Sequence, residues 1–204
     1  EYRQALVNAS RQFAQQVAER GWKGTYFQCY LNNKNDFKAR GWSRGSSPWL
    51  LDEPANFQDY WALRFFGEAF SEGVRQATRP SQSWPLLVFR ADISRPQWQR
   101  DALDHVLQYN VVAASAFRRY HRLVRDRQLA LGQVVLEYGT ACGVEQSHVQ
   151  PAGWCLEAWC LGAQGVVPWQ TLGSQRSWVE ADQLALFYPP RHVENGPTAS
   201  LRLK

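Results

Sequence analysis

Apolar and polar positions follow two spacings along the chain, one helical and one strand-like. Over residues 2–20, Leu6, Phe13 and Val17 fall near one face at helical spacing, and Gly21 ends the run. Residues 24–31, GTYFQCYL, form an apolar run of strand length. The polar run Asn32-Asn33-Lys34-Asn35-Asp36 follows, and then a loop rich in Gly, Ser and Arg over residues 37–48. Pro48-Trp49-Leu50-Leu51 predicts a second short strand that runs directly into Asp52-Glu53-Pro54. A long helix is expected over residues 57–77, with Phe57, Trp61, Phe65 and Phe66 among its core-facing side chains.

The alternation then repeats. Pro85–Arg90 reads as a strand ending at Ala91-Asp92, followed by a helix from Pro96 to about Leu103, since proline suits a first helical turn. Tyr109–Ala114 and Gln133–Tyr138 read as strands around a helix over residues 117–130. A loop over residues 139–151 leads to a helix near 154–161, and Gly165–Gln170 is the last strand. Such alternation predicts an α/β protein with a parallel sheet and crossover helices. The expected architecture is a (β/α)8 TIM-barrel-like fold, incomplete, with about six strands corresponding to strands three to eight of the eight a closed barrel needs. Pro197-Thr198-Ala199-Ser200 resembles a helix start, so the N-terminal strands and the last helix are expected to be missing. A complete doubly wound sheet is the alternative. No GxGxxG or P-loop follows any strand, which removes support for nucleotide binding. No internal repeat or linker divides residues 1–204, so a single catalytic-barrel segment is expected.

Composition sharpens this picture in three places. Hydrophobic residues at 45% and charged residues at 20% are ordinary globular values and exclude a disordered chain. Ten Trp residues in 204 is a marked excess. Tryptophans make flat apolar platforms on which the C–H faces of sugar rings stack, so the excess favours a carbohydrate partner. The net charge of +5 is scattered, apart from Arg118, Arg119, Arg122, Arg125 and Arg127, which read as a solvated helix face. Neither nucleic acid nor a membrane is expected as a partner, since no run approaches the roughly 20 apolar residues of a membrane helix. Cys29, Cys142, Cys155 and Cys160 form no CxxC pair and read as free thiols, so no metal and no cofactor is expected. His105, His121, His148 and His192 read as structural or surface residues, with His148 in a rim loop.

In parallel barrels the chemistry sits where strands end. The predicted strand ends carry Asn32, Asn33 and Lys34; Asp52 and Glu53; Arg90 and Asp92; Glu137 and Tyr138; Trp169 and Gln170. Asn33, Lys34, Arg90, Asp92, Tyr138 and Trp169 are the candidate substrate-binding residues, with Trp169 as the floor of a sugar subsite. A plainer reading stands beside each. Asp52 or Glu53 could cap the helix that follows, and Arg90 with Asp92 could lock the rim. Trp154 and Trp159, on a predicted helix, read as core.

Three segments add a resemblance. Tyr30-Leu31-Asn32-Asn33-Lys34, Trp49 to Pro54 and Phe57-Gln58-Asp59-Tyr60-Trp61-Ala62-Leu63 resemble the catalytic domain of glycoside hydrolase family 123. The later segments Gly165 to Gln170, Ala185-Leu186-Phe187-Tyr188-Pro189, Gly196-Pro197 and Ser200 to Lys204 resemble it in the same order. The chain departs at Gln164, where an acidic residue is common in that family. Its characterised members are β-N-acetylgalactosaminidases. The resemblance implies that Glu53 protonates the leaving glycosidic oxygen, and that Asp52 orients the substrate's 2-acetamido group, whose carbonyl oxygen attacks the anomeric carbon. It also suggests a secreted or periplasmic setting, with any export signal upstream of residue 1. Two rivals remain. Glu53 and Glu137 could form a conventional acid and nucleophile pair about 5–5.5 Å apart. The chain could also be a non-catalytic glycan-binding barrel.

Overall fold

A computed structural model describes residues 1–33, 48–77, 87–140, 143, 146–180, 185–191, 196–200 and 203. Helix α1 spans Tyr2–Glu19, strand β1 Phe27–Tyr30, α2 Phe57–Ala77, β2 Leu87–Ile93, α3 Pro96–Gln99 and β3 Tyr109–Ala113. Then come α4 (Ala114–Leu131), β4 (Val134–Thr140), α5 (Val149–Leu161), β5 (Val166–Trp169), α6 (Ser177–Glu180), β6 (Phe187–Tyr188) and β7 (Thr198–Ala199). Strands β1 to β5 form one parallel sheet in chain order.

That order speaks against the second of the expected architectures. A doubly wound sheet needs a reversal of strand order, which sends its helices to both faces. Here the order runs β1-β2-β3-β4-β5 without reversal, so right-handed crossovers put the connecting helices on one face. The buried residues agree. Phe89, Ala91 and Ile93 of β2 share a core with Tyr60, Leu63, Phe66 and Phe70 of α2. Val112 and Val135 share a second core with Phe117, Val124 and Ala158. The sheet curls into part of a barrel wall, and side chains of the opposite parity line its concave face. The doubly wound alternative is therefore set aside.

Among the described residues the parallel sheet has five strands, where six were expected. Pro48–Leu51 is not a strand, because β1 pairs directly with β2, from Phe27 opposite Leu87 to Tyr30 opposite Arg90. The amides of the segment are bonded elsewhere. Leu50 N–H donates to Asp59 Oδ1 at 3.0 Å, and the N–H groups of Leu51 and Asp52 both donate to the Asn33 carbonyl at 3.2 Å. Leu51 still enters the core, which accounts for the apolar pattern. The expected helix over 96–103 stops at Gln99, since Arg100 and His105 take positive φ values of 47° and 62°. The predicted helix start at Pro197–Ser200 is a strand instead: Thr198 and Ala199 pair antiparallel with Tyr188 and Phe187. Thr is β-branched and fits a strand better than a helix.

The long helices bury only part of the face expected: Phe66 of α2 and Val17 of α1 are in the core and Leu6 packs against it, but other expected residues face outward. In α2, Phe57, Trp61 and Phe65 are 52%, 50% and 41% exposed, while Tyr60, Leu63, Phe66, Phe70 and Val74 are buried. Two glycines select this face. A Cβ on Gly67 would come within 2.4 Å of Val106 and 2.8 Å of Phe89; one on Gly73 would sit 2.3 Å from the Val7 carbonyl of α1. Only glycine allows either approach. In α1 the buried positions are Val7, Ser10, Ala14 and Val17, and Phe13 faces outward. Trp159, expected in the core, is 74% exposed on α5, whose buried residue is Ala158. On α4, Arg118, Arg119, Arg122 and Arg125 are exposed, but Arg127 turns inward to Asp104 at 3.3 Å. Cys29, Cys155 and Cys160 are free thiols, and burial pushes the Cys29 thiol up to about 11. Cys142, His192 and Lys34 lie outside the described residues.

Candidate active site

All five strands run the same way, so their C-terminal ends share one rim. Period-two alternation on paired strands then sets which side chains meet on the concave face. Tyr30 lies opposite Arg90, with Asp92 two residues further on. Tyr138 lies opposite Val167 on β5, and Trp169 two residues further on. Tyr30, Arg90, Asp92, Tyr138 and Trp169 therefore all belong to the concave face near one rim.

Asp52 and Glu53 reach this face from a crossing loop. Asp52 is tied to the end of β1 through the Asn33 carbonyl, and Glu53 N–H donates to the Asp92 carbonyl on β2 at 3.1 Å. The loop thus spans both strand ends. The buried Asp59 carboxylate sets its shape by accepting N–H bonds from Leu50, Ala55 and Asn56, each at 3.0 Å. It sits in the first turn of α2, where an acidic group also meets the positive end of the helix dipole. The capping role considered for Asp52 and Glu53 thus falls to Asp59. Glu53 takes a φ of 60°, a left-handed conformation costing a non-glycine residue about 1–3 kcal/mol. Its side chain is held at that bend by Tyr138, whose hydroxyl donates to Glu53 Oε1.

The charges are heavily paired. Arg90 Nε donates to Asp92 Oδ1 at 2.7 Å, and its Nη2 donates to Oδ2 at 2.9 Å, a bidentate clamp. Its Nη1 reaches Gln28 Oε1 at 3.1 Å, and its guanidinium carbon lies 4.6 Å from the Tyr30 ring centre. Burial pulls the Arg90 guanidinium down, but the bonds to Asp92 outweigh it and hold it above its ordinary value. Burial also pushes the Asp92 carboxyl up against the pull of Arg90. Burial and then the Asp92 charge push the Tyr30 hydroxyl well above the usual phenol range. Tyr138 is pushed the same way by burial and then by Glu53.

Several expected roles change. Arg90 and Asp92 satisfy each other and form a lock on the rim. Asn33 Nδ2 donates to the Trp49 carbonyl at 3.0 Å, so Asn33 secures the crossing loop with both its side chain and its carbonyl. Tyr138 buttresses Glu53. Trp169 is 58% exposed at the end of β5, where a flat ring faces solvent over the rim. His148 is an exposed residue immediately before α5.

Glu137 is not brought to this site. It lies opposite Val112 and shares the parity of Val135, both core residues under the helices, so it faces away from Tyr138 and Glu53. Trp154 Nε1 of α5 donates to its Oε1 at 2.5 Å, and its Oε2 is buried without a hydrogen bond. Burial pushes its carboxyl up, against the Trp154 bond. The expected approach of Glu53 and Glu137 in one cleft is contradicted by this alternation. Trp154 therefore serves as the partner of a buried acid in the layer between sheet and helices.

Sequence reasoning missed Tyr30 and Asp59 as individual residues. Asp59 carried a readable signal, an acid in the first turn three residues after Asn56. Tyr30 carried none by itself, because its importance depends on the β1–β2 register. Among the described residues no group of three or more His, Cys, Asp or Glu could hold a metal ion, and no helix is long and apolar enough to cross a membrane. No protein-family model matches the chain, and no curated protein matches it.

Proposed function

We propose that this chain is the catalytic segment of a glycoside hydrolase on an incomplete (β/α)8 barrel, cleaving terminal β-linked N-acetylhexosamine, with N-acetylgalactosamine as the favoured sugar. One observation carries the reading. Adjacent acids, Asp52 and Glu53, stand at the C-terminal rim of a curled parallel sheet, one buried and one turned by a left-handed bend onto Tyr138. A left-handed bend at a non-glycine residue costs energy, and such bends are enriched where geometry serves function, which supports a working role for this one. The resemblance in sequence to family 123 supports the same assignment.

In this reading the substrate supplies its own nucleophile. Glu53 gives its proton to the glycosidic oxygen as the bond to the anomeric carbon breaks. The 2-acetamido carbonyl oxygen closes on that carbon, and positive charge develops at the acetamide nitrogen. The Asp52 carboxylate, in a buried setting where electrostatic effects are strong, stabilises that charge. Water then opens the cyclic intermediate, with Glu53 taking back a proton. Trp169 offers an apolar face for the sugar ring. Glu137 has no part in this scheme.

The test is hydrolysis of paired aryl β-glycosides that differ only in a 2-acetamido or 2-hydroxy group. Turnover confined to the 2-acetamido sugar, with strong inhibition by a thiazoline mimic of the cyclic intermediate, is expected. Comparable turnover of the 2-hydroxy sugar would sink the substrate-assisted scheme. Binding of either sugar without turnover would leave a glycan-binding barrel.

A further inference from the structure

Helix α5 is built from residues that normally lie under cover. Glu157 is the single charged residue in Val149–Leu161, yet only Ala158 is buried. A helix that is apolar on all sides belongs inside a protein rather than on its surface. Part of α5 is used within the chain: Arg118 of α4 makes two 2.7 Å bonds to the Glu157 carboxylate, and the Trp154 indole turns in to Glu137. The outer face is apolar and open. Val149 is 73% exposed, Leu156 64% and Trp159 74%, and Ala152, Gly153 and Cys160 are exposed between them. Val149, Ala152, Leu156 and Trp159 follow one another at intervals of three, four and three residues, the spacing of a seam along which helices pair lengthwise. A Cβ on Gly153 would meet nothing within 4 Å, so the seam has an open notch near its middle.

We propose that this face pairs with the same face of a second copy of the chain, the two α5 helices lying antiparallel about a two-fold axis near residue 154. A two-fold contact has to be complementary to itself. The seam meets that condition layer by layer: Leu156 lies over Ala152 of the second copy, and Trp159 over Val149 of the second copy. Each layer joins a larger side chain to a smaller one, and Gly153 near the axis lets the two backbones approach. Charge does not oppose the pairing, because Glu157 is already held by Arg118 and no other charged residue lies on the helix. The exposed parts of the six seam residues come to roughly 500–600 Å² per copy, so about 1,000–1,200 Å² for the pair, near the lower bound of specific interfaces and suited to a concentration-dependent dimer. The seam is on the helix side of the sheet, so pairing leaves the concave face open in both copies. The proposal does not depend on the glycosidase reading.

Sedimentation velocity on the full chain, over a concentration series, is the test. The wild-type chain is expected to pass from monomer to dimer as concentration rises. Leu156→Glu puts a charge into an apolar layer and should weaken the dimer at least about tenfold, with an unchanged circular dichroism spectrum because the residue is exposed in the single chain. Trp159→Ala deletes the largest ring of the seam and should weaken it as well. Leu129→Glu places the same charge at a 73% exposed position on α4 and should dimerise like wild type. The direction of pairing is read by charge rescue. Ala152→Lys alone should weaken the dimer, and combining it with Leu156→Glu should restore association, since positions 152 and 156 meet only when the helices run antiparallel. A wild-type chain that stays monomeric throughout the series overturns the proposal and leaves this face to a different protein. A dimer that survives both Leu156→Glu and Trp159→Ala overturns it too, by placing the contact elsewhere, and failure of the rescue overturns the antiparallel pairing.

Discussion

The two faces of the five-stranded sheet are built from alternate residues of the same strands, and they treat charge in opposite ways. On the concave face, Asp92 is clamped by Arg90 and Glu53 receives the Tyr138 hydroxyl. On the helix-facing side, Glu137 is 2% exposed, with one donor from Trp154 and one oxygen without a bond. Glu137 and Tyr138 are neighbours in sequence, yet one is shut into the layer between sheet and helices while the other supports an acid at the rim. A carboxylate at a strand end is therefore a catalytic candidate only if its parity places it on the open face. A buried acid on the other side bears on stability instead.

The largest expected effect comes from breaking the concave side. Asp52→Asn should lower kcat/KM on an N-acetyl-β-galactosaminide by about 10²–10³-fold, the scale of losing one preorganised electrostatic group. Steady-state kinetics with circular dichroism would separate this loss from misfolding. Next is the link between the faces. Asp59→Ala removes a carboxylate that accepts three backbone N–H bonds, and should cost about 2–3 kcal/mol in urea unfolding. It should also lower kcat, because the same bonds shape the loop that carries Asp52 and Glu53. Full activity in a destabilised variant would show that the loop keeps its shape without Asp59.

Smaller effects belong to the helix side. Gly73→Ala pushes a methyl group against the Val7 carbonyl, and overpacking of this kind should cost about 1–3 kcal/mol while leaving kcat/KM unchanged in the folded fraction. Glu137→Gln should have the opposite sign. Burial holds the folded-state pKa of Glu137 above the ordinary value of 4.5. Between 4.5 and that raised value the folded state binds the proton more tightly than the unfolded state, so stability falls as pH rises through this window. Removing the charge should raise Tm at pH 7 by about 2–4 °C, the equivalent of roughly 1 kcal/mol in a chain of this length. The difference should shrink as pH drops through the window. A variant less stable than wild type at pH 7 would show that Glu137 is better solvated than its surroundings imply.

Much of the fold could be read from the sequence, because strand–helix alternation is a local signal. Five strand runs and the long helix over 57–77 lie where the apolar pattern placed them. The segment Pro48–Leu51 misled because burial of Leu51 and strand pairing leave the same apolar trace, while the amides went to Asn33 and Asp59. The exposed stripe of Phe57, Trp61 and Phe65 misled because residue size suggested the core, whereas Gly67 and Gly73 set the packed face. At the site, Asp52 and Glu53 stood out as paired acids after an apolar run. Tyr30 and the opposed directions of Glu137 and Tyr138 did not, since both depend on register, which one strand's sequence does not reveal.

The central claim is that acid chemistry resides on the concave face, with Glu53, and not under the helices, with Glu137. The most direct measurement is kcat/KM for Glu53→Gln and Glu137→Gln, side by side, on an N-acetyl-β-galactosaminide with a poor leaving group. The account predicts a loss of about 10²–10⁴-fold for Glu53→Gln, the usual contribution of a general acid, and activity close to wild type for Glu137→Gln. A larger loss in Glu137→Gln, or a glycosyl–enzyme trapped on Glu137 by a fluorinated sugar, would contradict it.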